Sequence, residues 1–289
     1  MNRVINDIYH YPKPPPFSWI QAWSLSVLGR KVITKQVREA ESLYLVHQIG
    51  KVGSTSMTNA IKRAGLVGFQ THQLNPQRRS EVFRERLWKA WAPRQMWGYS
   101  PWVRREIRRR APQSVLITAI RNPIEREISG VMQNPDRYLN VFRRPKTDEE
   151  IRANLDDIVR VVNHNLSINR LDTWFAYELD YMLGEPFPWE AKSEELQATG
   201  HAHMRGANGL SVHVVRFENL SEVFTKIAEI EGHPDLILPH DNRSNSSRVF
   251  DIVRERGISR TSVDAAVSQR TVRAAYSASQ LEEWAAEWY

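Results

Sequence analysis

Tyr44-Leu45-Val46-His47-Gln48-Ile49-Gly50-Lys51-Val52-Gly53-Ser54-Thr55-Ser56-Met57 is the stretch from which the fold is read. The apolar run Leu43 to Val46 predicts a short buried strand, and a turn with two glycines follows it. Hydroxyl residues then lead into Met57 to Gly65, where Met57, Ala60, Ile61 and Ala64 have helical spacing and a glycine closes the segment. A strand, a tight glycine turn and a helix N-terminus together make an anion site, because free backbone N–H groups and the positive end of the helix dipole converge there. Lys51 stands beside that point. The plainer reading is a strand–turn–helix corner in which a serine or threonine only caps the helix.

The order of residues narrows the ligand. A nucleoside-triphosphate loop of the G-x-x-x-x-G-K-[ST] kind places lysine after the last glycine, with a hydroxyl next to it for magnesium. Here Lys51 precedes Gly53, and Ser54, Thr55 and Ser56 follow it. That order resembles the 5′-phosphosulfate loop of sulfotransferases that use 3′-phosphoadenosine-5′-phosphosulfate (PAPS), in which a Lys-x-Gly lysine precedes the hydroxyls. The resemblance implies that Lys51, Val52, Gly53, Ser54, Thr55 and Ser56 hold the sulfate donor.

A second segment carries the same resemblance. Ser114 to Ile120 is the strongest strand in the sequence, and Arg121-Asn122-Pro123-Ile124-Glu125-Arg126-Glu127-Ile128-Ser129 follows at once. Pro123 suits a first helical turn, Arg126 and Ser129 share a helical face, and Arg121 lies at the carboxyl end of its strand, where open α/β sheets bind ligands. PAPS-dependent sulfotransferases carry Arg-x-Pro-x-x-Arg-x-x-Ser after a central strand, and Arg121, Pro123, Arg126 and Ser129 match each defined position. The resemblance implies that Arg121 and Ser129 hold the 3′-phosphate, a guanidinium fork and a hydroxyl being suited to phosphate oxygens. A structural ion pair between Arg121 and a nearby carboxylate is the alternative.

Composition bounds the class. The 289 residues suffice for one substantial domain, and 41% hydrophobic content with ten tryptophans argues for a packed globule. A net charge of +7 favours anionic partners without choosing among nucleic acid, acidic lipid and phosphate-rich small molecules. With no cysteine, disulfides and thiolate metal sites are excluded. No secretory signal is legible, so a cytoplasmic location is expected. The stretch Phe17 to Leu28 is too short and broken to span a bilayer; packing on the domain is its first reading, and lying at a membrane surface the second.

Residues 1–40, with the extended Tyr11-Pro12-Lys13-Pro14-Pro15-Pro16, read as an N-terminal extension to a domain over 41–289. Leu66 to His72 reads as a second strand, and helices are expected over Ser80 to Trp91 and Val103 to Arg110. The arginines from Arg104 to Arg110 form either a solvated face or a guide for an anionic acceptor. Thr147-Asp148-Glu149-Glu150 is a capped helix start, with a helix to about His164 and another from Asn169 to Leu183. Trp174 and Phe175 on the latter read as core. The region of about 132–205 is expected as a helical insertion, which the resemblance places over the acceptor. Ser211 to Phe217 is a late strand, and its Phe217-Glu218-Asn219-Leu220 turn also resembles a sulfotransferase element, read here as packing. The polar segment 239–248 holds Arg243 and Arg248, which the family analogy allows to reach the 3′-phosphate. The final helix, Ser279 to Tyr289, reads as core through Leu281, Trp284 and Trp288.

The resemblance runs from Leu43 to about Ile230 and is sharp only at the two phosphate sites. It implies a three-layer αβα, P-loop-like fold with a mostly parallel central sheet and extra helices over the acceptor cleft, closest to carbohydrate and bacterial polysaccharide-associated sulfotransferases. It also implies metal-free in-line transfer from PAPS to a hydroxyl of a glycan or glycolipid, with nucleic acid not among the partners. Lys51 would neutralise charge on the departing phosphate, as positioning and electrostatics do in phosphoryl transfer. His72 is the candidate base, because it ends the second strand beside the Lys51 loop. Related 2-O-sulfotransferases place a histidine in a Gly-His element whose counterpart here, Gly98-Tyr99, lacks it, which leaves the base open. His47 lies inside the first strand and is expected to be buried. Two other classes remain: a P-loop kinase or other nucleotide enzyme, and a non-catalytic basic module for nucleic acid or acidic lipid.

Overall fold

Every position of β1 (Leu43–His47) is buried, as expected of an unbroken apolar run covered on both faces. The computed structural model describes residues 35–50, 52–72, 74–75, 101–133, 135, 139, 145, 147–238 and 247–289. Among these, β1 is joined by β2 (Val67–Thr71), β3 (Ser114–Ile120), β4 (His201–Arg205) and β5 (Ser211–Arg216) in one sheet of order β2-β1-β3-β5-β4. The first four in that order are parallel, with His47 opposite Thr71, Val46 opposite Ile117 and Ile120 opposite Arg216. β4 closes the edge antiparallel to β5.

The helices follow in chain order: α1 (Ser54–Arg63), α2 (Pro101–Arg109), α3 (Pro123–Gln133), α4 (Asp148–Ala153), α5 (Leu155–Ser167) and α6 (Arg170–Leu183). Then come α7 (Trp189–Thr199), α8 (Leu220–Ile230), α9 (Ser247–Arg256), α10 (Arg260–Val267), α11 (Arg270–Ala275) and α12 (Ala278–Trp288). Alternation along the strands sorts these into layers. Val46, Ile117 and Val215 face α1 and α8, whereas Leu45, Leu116 and Val212 face α6, α7 and α11. The sheet is therefore covered on both faces, giving an α/β layer architecture. A third apolar cluster contains no strand residue and joins α3, α4, α5, α9, α10 and α12. Among the described residues no helix is long and apolar enough to cross a membrane.

Several expectations shift. The helix predicted from Thr147 is two helices, α4 and α5, broken at Asn154; the predicted capping box between Thr147 and Glu150 is present. The 132–205 region does not stay helical to its end, because 201–205 forms β4. Its helices also divide: α4 and α5 join the strand-free cluster, while α6 and α7 cover the sheet. Trp174 and Phe175 are core, as is Trp288 of α12. Within the arginine-rich α2, Arg105, Arg108 and Arg109 are exposed, while Arg110 just beyond it donates to the carbonyls of Arg38 and Ala40. Part of the 1–40 extension is thereby fastened to the domain. The segments expected at Phe17 to Leu28 and Ser80 to Trp91, and Gly98-Tyr99, lie outside the described residues, as do Lys51 and Arg243.

Candidate functional site

Four parallel strands bring the segments after β1, β2, β3 and β5 to one edge of the sheet, so both arginine- and glycine-bearing segments open there. After β1 the chain turns through Gly50 and Gly53, which have φ of 117° and 75°. Gly53 is the N-cap of α1 in the left-handed region, with no side-chain cap and no acidic residue in the first turn. A β-carbon there would stand 2.9 Å from Leu220 Cδ2 and 3.0 Å from Phe217 Cε2. Glycine thus serves twice, allowing the left-handed turn and admitting the loop against the Phe217 ring. The hydroxyls expected ahead of the helix form its first turn: Ser54 and Ser56 are buried, and Thr55 is exposed. Thr58 Oγ1 donates to the Ser54 carbonyl at 2.7 Å. The first N–H groups of an α-helix have no intrahelical partner, so this end offers donors to an anion.

Arg121 follows β3 directly. Its guanidinium carbon lies 4.7 Å from the centroid of Phe217 and 5.7 Å from that of Phe250 on α9. It also makes an ion pair of 2.9 Å with Glu125, the carboxylate pairing weighed above as the structural alternative. Phe217 therefore meets the Gly53 turn and the Arg121 guanidinium together, which joins the two sequence motifs in space. Ser129 sits half-buried on α3. Arg126 does not serve the same edge: it is buried and paired with Glu127, whose other carboxylate oxygen accepts from Asn165 Nδ2 at 3.0 Å, tying α3 to α5. Arg248 pairs with Asp148 of α4, so the 3′-phosphate role considered for it has no support in its contacts.

The edge is laced beneath these groups. Glu218 accepts from the Asn122 N–H at 3.2 Å and from the Tyr276 hydroxyl at 2.7 Å, holding the ends of β3 and β5 together. Burial, reinforced by Glu218, raises the Tyr276 hydroxyl well above its ordinary range, so it stays a donor. Arg216 donates to Asn219 Oδ1 at 2.9 Å and lies 5.6 Å from the Tyr276 ring centroid. The Phe217 to Leu220 turn thus does the packing read for it in sequence.

His72 closes the β2 side. Its Nδ1 donates to the Gln48 carbonyl at 2.8 Å, which leaves Nε2 with the lone pair, 3.2 Å from the Gln70 amide nitrogen. Trp174 of α6 donates to the His72 carbonyl at 3.1 Å. Behind it, His47 is fully buried, with Nδ1 2.9 Å from Thr71 Oγ1 and Nε2 3.4 Å from Glu178 Oε2. Glu178 also accepts from the Leu74 and Asn75 N–H groups at 2.6 and 3.0 Å, so α6 is anchored to the chain leaving β2. Sequence reasoning identifies Gly53, Arg121 and His72, but not Phe217 as the meeting point of the first two, nor Phe250 or Tyr276. An aromatic at a strand end reads as ordinary core, and only the sheet order sets Phe217 between the two loops.

Compared with protein families, curated proteins and solved structures, the chain matches none.

Proposed function

We propose that this chain is a sulfotransferase on a P-loop-like fold, moving a sulfuryl group from PAPS to a hydroxyl of a glycan or glycolipid. The observation that carries the reading is the meeting at Phe217 of an uncapped helix N-terminus and a guanidinium, each in the segment that follows a parallel strand. Two cationic poles with a ring between them suit a nucleotide bearing phosphate at two positions. In this reading the N–H groups from Val52 to Ser56 and Lys51 take the 5′-phosphosulfate. Arg121 and Ser129 take the 3′-phosphate, for which Arg121 exchanges its hold on Glu125. The acceptor oxygen forms a bond to sulfur as the sulfur–oxygen bond to the 5′-phosphate breaks. The acceptor proton passes to His72 Nε2, which its Nδ1–H bond to Gln48 leaves with the lone pair, and which exchanges its contact with the Gln70 amide for the acceptor. The singly charged sulfuryl group needs no magnesium clamp. The glycan or glycolipid acceptor rests on the family resemblance alone.

The test is calorimetric titration of adenosine 3′,5′-bisphosphate, without metal, into the wild type, Lys51→Ala and Arg121→Ala. Binding by the wild type that weakens about 10-fold or more in each variant is expected, since charged hydrogen bonds contribute about 1.5–3 kcal/mol. A wild type that ignores the bisphosphate but binds ATP with magnesium would replace this reading by the kinase one. A wild type that binds neither would leave the basic-module reading.

A further inference from the structure

The outer edge of the sheet carries a set of ligating side chains that the nucleotide reading leaves unused. β4 pairs with β5 so that His203 stands opposite His213, His201 opposite Val215 and Arg205 opposite Ser211. Val215 belongs to the face covered by α8. Alternation therefore puts His201, His203, Ser211 and His213 on that face, over Glu231 at the end of α8. His213 Nε2 donates to Glu231 Oε1 at 2.8 Å, and the Ser211 hydroxyl donates to the same oxygen at 2.5 Å. His203 Nε2 lies 2.9 Å from Ser211 Oγ and 3.9 Å from Glu231 Oε1. One nitrogen of His203, one of His213 and a Glu231 oxygen all fall within 4.8 Å of one another.

We propose that His203, His213 and Glu231 bind a divalent transition-metal ion of the zinc class, clipping the edge strand β4 to β5 and to the end of α8. Two imidazoles and one carboxylate are the donor set of open zinc sites, with a fourth position left for water. The other ring nitrogen of His213 already meets His201 Nε2 at 2.9 Å, the outer hydrogen bond that orients a ligating imidazole. Two polar atoms buried beside this set, His201 Nδ1 and Tyr44 Oη, have no hydrogen-bond partner within the protein. Ligand atoms of a tetrahedral zinc site stand about 3.3 Å apart, from bond lengths of about 2.0–2.1 Å. Reaching that needs mainly a swing of the His203 ring, which at 27% exposure is the loosest of the three and marks the side of entry. Sequence spacing hid the set, because its ligands come from two strands and a helix end. It is also distinct from the nucleotide edge: His213 pairs with Ile117, three residues short of the Ile120–Arg216 pair where that edge begins.

The experiment is equilibrium dialysis of the tag-free, chelator-stripped full chain against zinc, with elemental analysis, alongside cobalt loading followed by visible absorption. The wild type is expected to retain one zinc per chain and, with cobalt, to develop the intense visible bands of a tetrahedral site. In His203→Ala and Glu231→Gln, zinc affinity is expected to fall about 100-fold, at the upper end of what loss of even an outer partner costs. Bisphosphate affinity in His203→Ala should be unchanged. A wild type that is folded by circular dichroism yet retains no zinc would overturn the proposal. So would a folded His203→Ala protein that holds zinc as tightly as the wild type, which would put the ion elsewhere.

Discussion

Replacing Gly53 by alanine asks one substitution to report on both the turn and its packing. The residue sits at φ 75°, and its new β-carbon would meet Leu220 Cδ2 at 2.9 Å and Phe217 Cε2 at 3.0 Å. The left-handed conformation costs a residue with a β-carbon about 1–2 kcal/mol. Forcing a methyl group into a closed contact adds about 1–3 kcal/mol. Neither neighbour yields freely: Leu220 is 5% exposed, and the Phe217 ring is held under Arg121. The two costs together predict a loss of about 2–5 kcal/mol. Gly65 supplies the control, with φ 73° and nothing within 4 Å of its would-be β-carbon. Gly65→Ala should therefore cost only the conformational part, about 1–2 kcal/mol. Urea denaturation of the two variants against the wild type measures the difference. If Gly53→Ala is no more destabilising than Gly65→Ala, the loop does not rest on Phe217 and Leu220, and the joining of the two motifs fails with it.

Three further outcomes are expected. Glu178→Ala removes the acceptor of two backbone N–H groups and the carboxylate that lies 3.4 Å from His47 Nε2, so denaturation should register a loss of about 3–5 kcal/mol; Glu178→Gln, which keeps an acceptor, should lose less. Stability of the chelator-treated protein should fall on acidification, because burial, then His213, pushes His201 down to about 3 and lowers His203 as well. Their folded values lie below the ordinary value near 6.5, so the unfolded chain takes up protons first. Stability is then complete above that value and declines below it, by up to about 1.4 kcal/mol per pH unit for each histidine. Burial would raise Glu231, but hydrogen bonds from His213 and Ser211 outweigh it and lower its carboxyl, which adds loss in the same direction at more acidic pH. A midpoint in urea that is flat between pH 8 and 5 would contradict this. Finally, His72→Gln should lower kcat for sulfuryl transfer about 10²–10⁴-fold with bisphosphate affinity unchanged; an unaltered kcat would remove His72 as the base.

Sequence by itself determined the elements whose signal is local. β1 and β3 are mainly apolar, β5 has Val212, Val214 and Val215 among polar residues, and all three are buried at every position; the Gly53 turn into α1 and the Arg121 turn into α3 follow from chain chemistry within a few residues. Tertiary structure decided what depends on distant pairing. His201 to Arg205 has three polar residues in five, so hydropathy does not mark it as a strand, and hydrogen bonding to β5 makes it one. The late helices α9, α10 and α11 are short, and two of them bury their stripes against α3 and α5 in a cluster no strand enters. Phe217 acquires its place because β5 lies beside β3, and β3 beside β1, an order that no local periodicity encodes. The histidine cluster has the same origin: alternation in two strands put four polar side chains on one face, but strand pairing and the end of α8 brought them together.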